Sequence, residues 1–374
     1  MEQTGPIVIA QECITESGDY IGVLTLNKPK ALNALDLEMA DILLDTLNQW
    51  QARDDIACVV LKGAGDKAFC AGGDIVSMYN AMREQEGQIP DFLQQFFKLE
   101  YTLDYTIHHY EKPFIVWGSG IVMGGGMGLL CGASHRVVTE TSRLAMPEIS
   151  IGLYPDVGGS YFLPRLPGNV GLFLGLTGGH MNGADALYVG LADHLVAANE
   201  FDTMLGELQK QISANGTADE IVTHVLNNLD TPVEKLTSHV STHRSAIDTW
   251  CEGSTTAQVV NNLLNADMGE DKWLLKAQKT LKQGSPITAH LVFEQCRRGA
   301  TLSLAECFKM EAIMSCRCGE SGEFQEGVRA LLIDKDLSPK WKYSRVEDVP
   351  ATVIEHFFTS PWDTHSHPLA DIGE

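Results

Sequence analysis

The sequence predicts an α/β fold with largely parallel strands over its first two hundred residues, followed by a mainly helical C-terminal region. Three observations predict it. Short β-rich runs alternate with helical patterns as far as about residue 200, the order that strand–helix–strand connections produce. Residues 201–330 then carry helical spacing almost throughout and lack convincing strands. Two glycine-rich turns, Cys70-Ala71-Gly72-Gly73-Asp74 and Met123-Gly124-Gly125-Gly126-Met127-Gly128, each fall between a strand-like run and a helix-like one. The domain division expected from this is 1–200 and 201–374.

The elements follow in order. Residues 21–26 (IGVLTL) read as a strand after a Gly-Asp turn, and NKPKALNAL as a loop. Residues 37–52 read as a helix, because Met39, Ile42, Leu43, Leu47 and Trp50 recur at spacings of three and four, and Asp36 and Glu38 sit where the helix dipole favours acids. Residues 56–63 (IACVVLKG) form a buried strand ending at the turn GAGD. A polar-to-helical segment runs from AFCAGGDI to about residue 110. Residues 112–120 (KPFIVWGSG) give a strand, GGGMGLLCGASH a turn into a helix, and 136–139 (RVVT) a further short strand. Beyond 200, FDTMLGELQKQI, VTHVLNNL and PVEKLTSHVSTHRSAI read as helices, with SANGTADE and CEGSTT as loops. The tail 359–374 has little periodicity and is expected to be partly loose.

Composition excludes several classes. The chain has 374 residues, of which 44% are hydrophobic and 20% charged, an ordinary globular balance. Its 49 acidic residues against 27 Lys and Arg give a net charge of −22, which repels phosphate backbones and anionic lipid, so neither nucleic-acid nor membrane-surface binding is expected. An anionic small ligand would need a local basic patch. The nine cysteines are odd in number and lie mostly in apolar runs such as IACVVL, which points to reduced thiols in a reducing compartment. The close pair Cys316 and Cys318 lacks a second pair at zinc spacing, and His239 and His243 lack a third ligand, so no metal site is expected. The N-terminal twenty residues show neither a basic, apolar leader nor an Arg-rich transit pattern, and apolar runs are far short of the ~20 residues of a membrane span. A soluble, bacterial cytoplasmic protein is expected, although a processed mitochondrial matrix protein would read the same.

Two features carry chemistry. Glycine lets a ligand approach the main chain closely, and the second turn opens a helix whose free N–H groups carry the positive dipole end. Two such turns side by side would aim two N–H donors at one oxygen, an oxyanion hole. Taken singly, either turn reads first as a tight strand-to-helix connection. The second feature is the run Ala145–Gly159 (AMPEISIGLYPDVGG), where Glu148 and Asp156 stand among Met, Ile, Leu, Tyr and Val. Desolvation there would raise a carboxyl pKa and make it a usable base near neutrality. Helix capping or pairing with Arg is the structural alternative for each. Gly126, Gly128 and Gly132 do not match the dinucleotide pattern GxGxxG, and the chain has neither a P-loop nor a GxSxG elbow.

Together, VLTLNKPKALNAL, AFCAGGDI, KPFIVWGSGIVMGGGMGL and AMPEISIGLYPDVGG resemble the crotonase (enoyl-CoA hydratase/isomerase) superfamily over roughly residues 7–200. Within it, FFKLEYTLDY (96–105), PDVGGSYFLPRLPG (155–168) and FQEGVRALLIDKDLSPKW (324–341) are similar to a branch of acyl-CoA thioester hydrolases. The resemblance implies a crotonase-like (ClpP/crotonase) spiral of ββα units before the helical region. It implies that the Gly73 and Gly125 N–H groups hold the thioester oxygen. Lys30, residues 33–35, Ala68 and Ala71 would border the nucleotide and pantetheine, with Asp74 beside them. Glu148 would be base or nucleophile, Asp156 would orient the 3-hydroxyl or share the proton work, and Glu100 would sit at the acyl end. The products would be coenzyme A and a short branched 3-hydroxy acid, as in valine breakdown, with no cofactor besides the coenzyme A of the substrate. The superfamily's habit of assembling through C-terminal helices allows a homo-oligomer.

One departure separates two reactions. A hydratase of the superfamily carries a second catalytic Glu two residues after the glycine triplet, where this chain has Gly128, and glycine where this chain has Asp156. Adding water to an alkene needs an acid and a base flanking the double bond; cleaving a thioester needs attack at the carbonyl carbon with charge collected on its oxygen. The residues present match the second. Enoyl-CoA hydration and non-catalytic acyl-CoA binding are the rival expectations.

Overall fold

The computed structural model describes residues 5–212, 216–232 and 236–373. It divides into two compact units that interleave along the chain. One takes the chain up to Gly73, then Leu103–Leu144 and Met181–Ser241; the other takes Asp74–Thr102, Ala145–His180 and the chain from Thr242 onward. Neither follows the boundary expected at residue 200.

The first unit is built on strands. β1 (Val8–Ile14) pairs antiparallel with β2 (Tyr20–Leu26) after a tight turn. From β2 onward the pairing is parallel: β3 (Ile56–Gly63), β5 (Phe114–Gly118), β7 (His135–Val138) and β9 (His194–Leu195) complete a six-stranded sheet in the order β1-β2-β3-β5-β7-β9. A second sheet, β4-β6-β8, consists of Ala68–Cys70, Ile121–Met123 and Arg143–Ala145. Successive strand pairs therefore place one strand in each sheet: β3 and β4, β5 and β6, β7 and β8. That alternation is the expected spiral of ββα turns. The sheet strands read as continuous apolar runs because both faces are covered; β5 is buried along its whole length.

On one sheet face, alternate residues Ile21 and Val23, Cys58 and Val60, and Ile115 and Trp117 meet Met204, Leu208, Val222 and Leu226. The latter belong to α8 (Phe201–Gln211) and α9 (Ala218–Leu229). Two helices that the sequence division assigns to the C-terminal region thus cover the sheet. Truncating a fully buried leucine such as Leu208 to Ala would cost about 2–5 kcal/mol.

Helix α1 (Leu37–Gln51) is capped by Asp36, whose carboxylate accepts from the Met39 N–H, and buries Met39, Leu43, Leu47 and Trp50 as the spacing requires. Five short or exposed strands escape the sequence reading. β4, β6, β8 and β9 are two or three residues long, too short to show a period. β1 presents Gln11 and Glu12 to solvent at the sheet edge.

The second unit is helical. It holds α2 (Ile75–Glu84), most of α3 (Asp91–His108), α5 (Gly159–Phe162), α6 (Val170–Thr177) and the helices after Thr242, among them α13 (Pro286–Gly299) and α14 (Leu304–Ser321). The helical reading of 232–247 is corrected in part. Residues 233–235 lie outside the described residues, Leu236–Ser238 are not helical, and α10 (His239–Trp250) starts only after Ser238, whose hydroxyl accepts from the Ser241 N–H. Of the SANGTADE loop, 213–215 likewise lie outside the described residues. The tail is more anchored than its composition suggests: the Trp362 indole donates to Gln94 Oε1, His367 bonds the Lys309 carbonyl, and Leu369 is buried. Among the described residues, no helix is long and apolar enough to cross a membrane.

Candidate active site

The first unit brings the two glycine turns together. Strands β4 and β6 are parallel neighbours, with Ala68 opposite Ile121 and Cys70 opposite Val122, so the turns that follow them leave the sheet at the same end. Their backbones touch. A Cβ on Gly72, whose φ is +111°, would lie 3.5 Å from the Met123 carbonyl oxygen and 3.9 Å from the Gly125 nitrogen. One on Gly126 would fall 2.4 Å from the Cys70 carbonyl oxygen. Only glycine allows this approach. Helix α4 (Gly125–Gly132) begins at Gly125, after Gly124, which has φ +49° and no side chain to cap it. The Gly125 N–H is therefore one of the first-turn donors with no intrahelical partner, at the positive end of the dipole.

The first turn is held by the NKPKALNAL loop. Ala71 N–H donates to the Leu32 carbonyl at 3.1 Å, and Leu35 N–H donates to the Gly72 carbonyl at 2.9 Å. Leu32 and Asn33 both have positive φ, 53° and 56°. Asn33 is fully buried; its Nδ2 donates to the Ala64 and Ala68 carbonyls, and its Oδ1 accepts from the Lys28 N–H. Asn tolerates this conformation, and its amide replaces the hydrogen bonds a strand would make. Asn33 is thus the residue that fixes this loop to β4. Lys30 stands exposed on the 3₁₀ turn Pro29–Ala31, Ala68 is buried in β4, and Ala71 is half-buried. Cys70 is fully buried, as a packing residue would be.

The second unit gathers the carboxylates. Asp74 caps α2, accepting from the Ser77 N–H at 3.2 Å and the Ser77 hydroxyl at 2.7 Å. Glu148 opens a 3₁₀ turn, Glu148–Ile151, that ends at Gly152 with φ +71°. Glu148 is 4% exposed, and its Oε2 has no hydrogen-bond partner among the described residues. Burial pushes its pKa well above the usual carboxylate range, and the Asp156 charge pushes it further.

Asp156 precedes Val157 and Gly158, which have φ +51° and +89°. A β-branched residue in the left-handed region costs about 1–3 kcal/mol and persists only where its surroundings enforce it. Here they do. Gln295 of α13 donates to the Pro155 carbonyl at 2.7 Å, and the Glu311 carboxylate of α14 accepts from Gly158 N–H and Ser160 N–H, both at 2.8 Å. Asp156 Oδ2 accepts from the Tyr101 hydroxyl at 2.8 Å. Burial lifts its pKa above the usual carboxylate range, against the lowering effect of the Tyr101 hydroxyl. Glu100, also buried, precedes Tyr101 in α3.

The unit thus buries both Glu148 and Asp156, as their apolar neighbours in sequence suggest, and sets them near enough for the Asp156 charge to raise Glu148. It adds Tyr101, Tyr154, Gln295, Glu311 and Ser315, which sequence reasoning missed. The available signal was Glu311 and Ser315, two polar residues four apart on the buried face of α14. His243 pairs with Asp271 at 3.0 Å and stacks on Trp273.

Stability should register the raised carboxyls. Glu311 is lifted from 4.5 to about 8 by burial, and burial lifts Asp156 as well. Between those values the native state keeps protons that the unfolded chain has released, so this stabilisation is complete below about pH 4 and fades as pH rises toward 8. Glu148→Gln removes one forced ionisation without breaking a bond to Oε2. We expect urea unfolding at pH 8 to show the variant more stable than the native protein, with the gap closing at pH 5; an equal gap at both pH values would contradict this.

The chain matches known proteins over nearly its whole length. A family model described as enoyl-CoA hydratase/isomerase matches residues 21–358. The mitochondrial 3-hydroxyisobutyryl-CoA hydrolase of Danio rerio is 40% identical over 358 residues, covering 93% of this chain and 90% of that protein. Among solved structures, a carnitinyl-CoA dehydratase from Mycobacterium thermoresistibile superimposes with a TM-score of 0.83 at 33% identity, covering 98% of this chain and 99% of that one. An enoyl-CoA hydratase from Rhodobacter sphaeroides 2.4.1 gives 0.82 at 31% identity, covering 94% and 97%. The curated relative is named mitochondrial, so it lends no support to the cytoplasmic location expected from the sequence and agrees with the matrix alternative.

Proposed function

The chain belongs to the enoyl-CoA hydratase/isomerase family, and on that footing we propose that it hydrolyses the thioester of 3-hydroxyisobutyryl-CoA, and that of 3-hydroxypropionyl-CoA, to coenzyme A and the free 3-hydroxy acid. The observation that carries the choice of reaction is the buried Glu148/Asp156 pair, together with Gly128 in place of the hydratase's second Glu. The naming of the curated relatives supports the same choice.

In this reading the Gly73 and Gly125 N–H groups receive the thioester oxygen as charge develops on it, and losing one such donor would cost about 2.7–4 kcal/mol of barrier stabilisation. Glu148, once ionised, takes a proton from water as the water oxygen bonds to the carbonyl carbon; attack by the carboxylate itself is the covalent variant of the same step. The carbon–sulfur bond then breaks, the electron pair leaves with sulfur, and the thiolate takes up the proton. A thiolate leaves readily, so little acid assistance is needed. Asp156 meets the 3-hydroxyl or shares the proton, and Glu100 stands at the acyl end. Lys30, exposed at the start of the loop that Asn33 anchors, supplies a positive charge for the nucleotide phosphates, and the backbone at Ala68 and Ala71 borders the pantetheine. Asp74 contributes through the helix it caps. Coenzyme A arrives with the substrate and no other cofactor enters. The nine free thiols fit a reducing compartment, the matrix for a mitochondrial relative.

The test is thiol release from (S)-3-hydroxyisobutyryl-CoA, 3-hydroxypropionyl-CoA and isobutyryl-CoA, with crotonyl-CoA hydration followed in parallel. Rapid release from the two hydroxylated thioesters and weak release from isobutyryl-CoA are expected. Hydration at a rate comparable to thioester cleavage would favour the hydratase reading, and coenzyme A binding without turnover would leave a binding protein.

A further inference from the structure

Four buried oxygen contacts run in a line through the second unit. Asp156 Oδ2 lies 2.8 Å from the Tyr101 hydroxyl, which lies 2.7 Å from the Ser315 hydroxyl. Ser315 lies 2.8 Å from the Tyr154 hydroxyl, which donates at 2.8 Å to the Glu311 backbone carbonyl. Tyr101, Tyr154 and Ser315 are fully buried.

The hydrogens can be counted. Each hydroxyl owns one, so the three hydroxyls supply three hydrogens for four contacts. The Glu311 carbonyl can only accept, which commits the Tyr154 hydrogen. With Asp156 ionised, Tyr101 must donate to it, and the single Ser315 hydrogen serves either Tyr101 or Tyr154. One contact then sets two lone pairs face to face. A fourth hydrogen on Asp156 completes the line: Asp156 donates to Tyr101, Tyr101 to Ser315, Ser315 to Tyr154, and Tyr154 to the carbonyl. Among the described residues, Glu148 Oε2 has no corresponding acceptor or donor.

We propose that the Tyr101–Ser315–Tyr154 chain holds the proton of the carboxyl pair on Asp156, making Asp156 the neutral partner and leaving Glu148 to ionise as the base. This rests on the hydrolase reading above and assigns the three hydroxyl residues as positioning residues. An ionised Asp156 would act on everything around it: its charge raises the Glu148, Glu311, Tyr101, Tyr154 and Cys318 pKa values, and Glu100 and Glu311 raise that of Tyr101 as well. Burial already disfavours the ionised form of Asp156. A neutral Asp156 also withdraws the negative charge that holds the Glu148 pKa up.

Two substitutions change the count without touching Asp156. Ser315→Ala leaves two hydrogens for two contacts, and Tyr154→Phe likewise leaves two for two. In both, ionised Asp156 with Tyr101 donating to it becomes fully satisfied. The basic limb of the kcat–pH profile should therefore move down by about one unit in either variant, the equivalent of one neutral hydrogen bond, with a lower plateau and KM little changed. The double variant should move it no further than either single one, because each alone restores the match. Ser315→Thr keeps the hydroxyl and should restore the native profile.

Infrared difference spectroscopy at neutral pH reads the proton directly and independently of turnover. A protonated-carboxyl stretch that vanishes in Asp156→Asn, persists in Glu148→Gln and weakens in Ser315→Ala supports the proposal even if the substrate assignment fails. A stretch lost with Glu148→Gln and kept in Asp156→Asn overturns it. So does a uniform loss of activity at every pH that adds up in the double variant.

Discussion

Glu148→Gln is expected to lower kcat for thioester cleavage by about a hundred- to ten-thousand-fold, the range a positioned general acid or base supplies. The change is nearly isosteric and leaves the 3₁₀ turn Glu148–Ile151 intact, so acyl-CoA binding should survive and KM should change little. The size of the loss follows from burial. Glu148 is cut off from bulk solvent and its Oε2 has no hydrogen-bond partner among the described residues, so bulk water cannot stand in for the base once it is removed. Steady-state kinetics on 3-hydroxyisobutyryl-CoA, with substrate binding measured separately, checks it. A variant that keeps a tenth or more of native kcat would remove Glu148 from the chemistry. Paired with the expected gain in stability at pH 8, the result would show a buried acid that costs stability and is retained for activity.

Gly126→Ala should be nearly as damaging through a different route. The new methyl group would meet the Cys70 carbonyl oxygen at 2.4 Å and the Cys70 Cβ at 3.0 Å. Backbone cannot rotate away as a side chain can, so one turn must shift relative to the other. Donors in an oxyanion hole work only at hydrogen-bond distance from the oxygen they receive, and misplacing one should lower kcat by about a hundred- to a thousand-fold. The overpacking itself should destabilise the fold by about 1–3 kcal/mol. Gly206→Ala supplies the control. Gly206 lies in α8, its added Cβ would meet nothing within 4 Å, and the substitution should stabilise the protein slightly with activity unchanged. Equal activity in the two variants would mean that the close approach of the glycine turns has no part in catalysis.

Strands β2, β3, β5 and β7 were legible as short, nearly continuous apolar runs, and helix α1 by its apolar spacing of three and four, which marks the face it buries. The second sheet was not. A three-residue strand such as Ala68–Cys70 or Ile121–Met123 has no period to detect, and it exists only because a neighbour supplies its hydrogen bonds. The helices α8 and α9 were legible as helices, but their place on the sheet was not, since an apolar stripe states that it will be buried and leaves open against what.

The same division holds for the site. Residue chemistry and local pattern alone mark Glu148 and Asp156, two acids in an apolar run, and mark the glycine turns as places where backbone can approach backbone. What only the tertiary structure decides is which groups surround those acids. The Tyr101 hydroxyl bonds to Ser315 across 214 residues of sequence, and Tyr154 reaches Ser315 across 161. Nothing in the local spacing of any of the three foretells the others, because a hydrogen bond between distant segments depends on helix packing that brings one hydroxyl within 2.7–2.8 Å of the next. The sequence by itself determined that two acids in an apolar run would be desolvated; that one raises the other, and where their shared proton rests, is set by the tertiary contacts, since a proton stays where the donors and acceptors around it can all be matched.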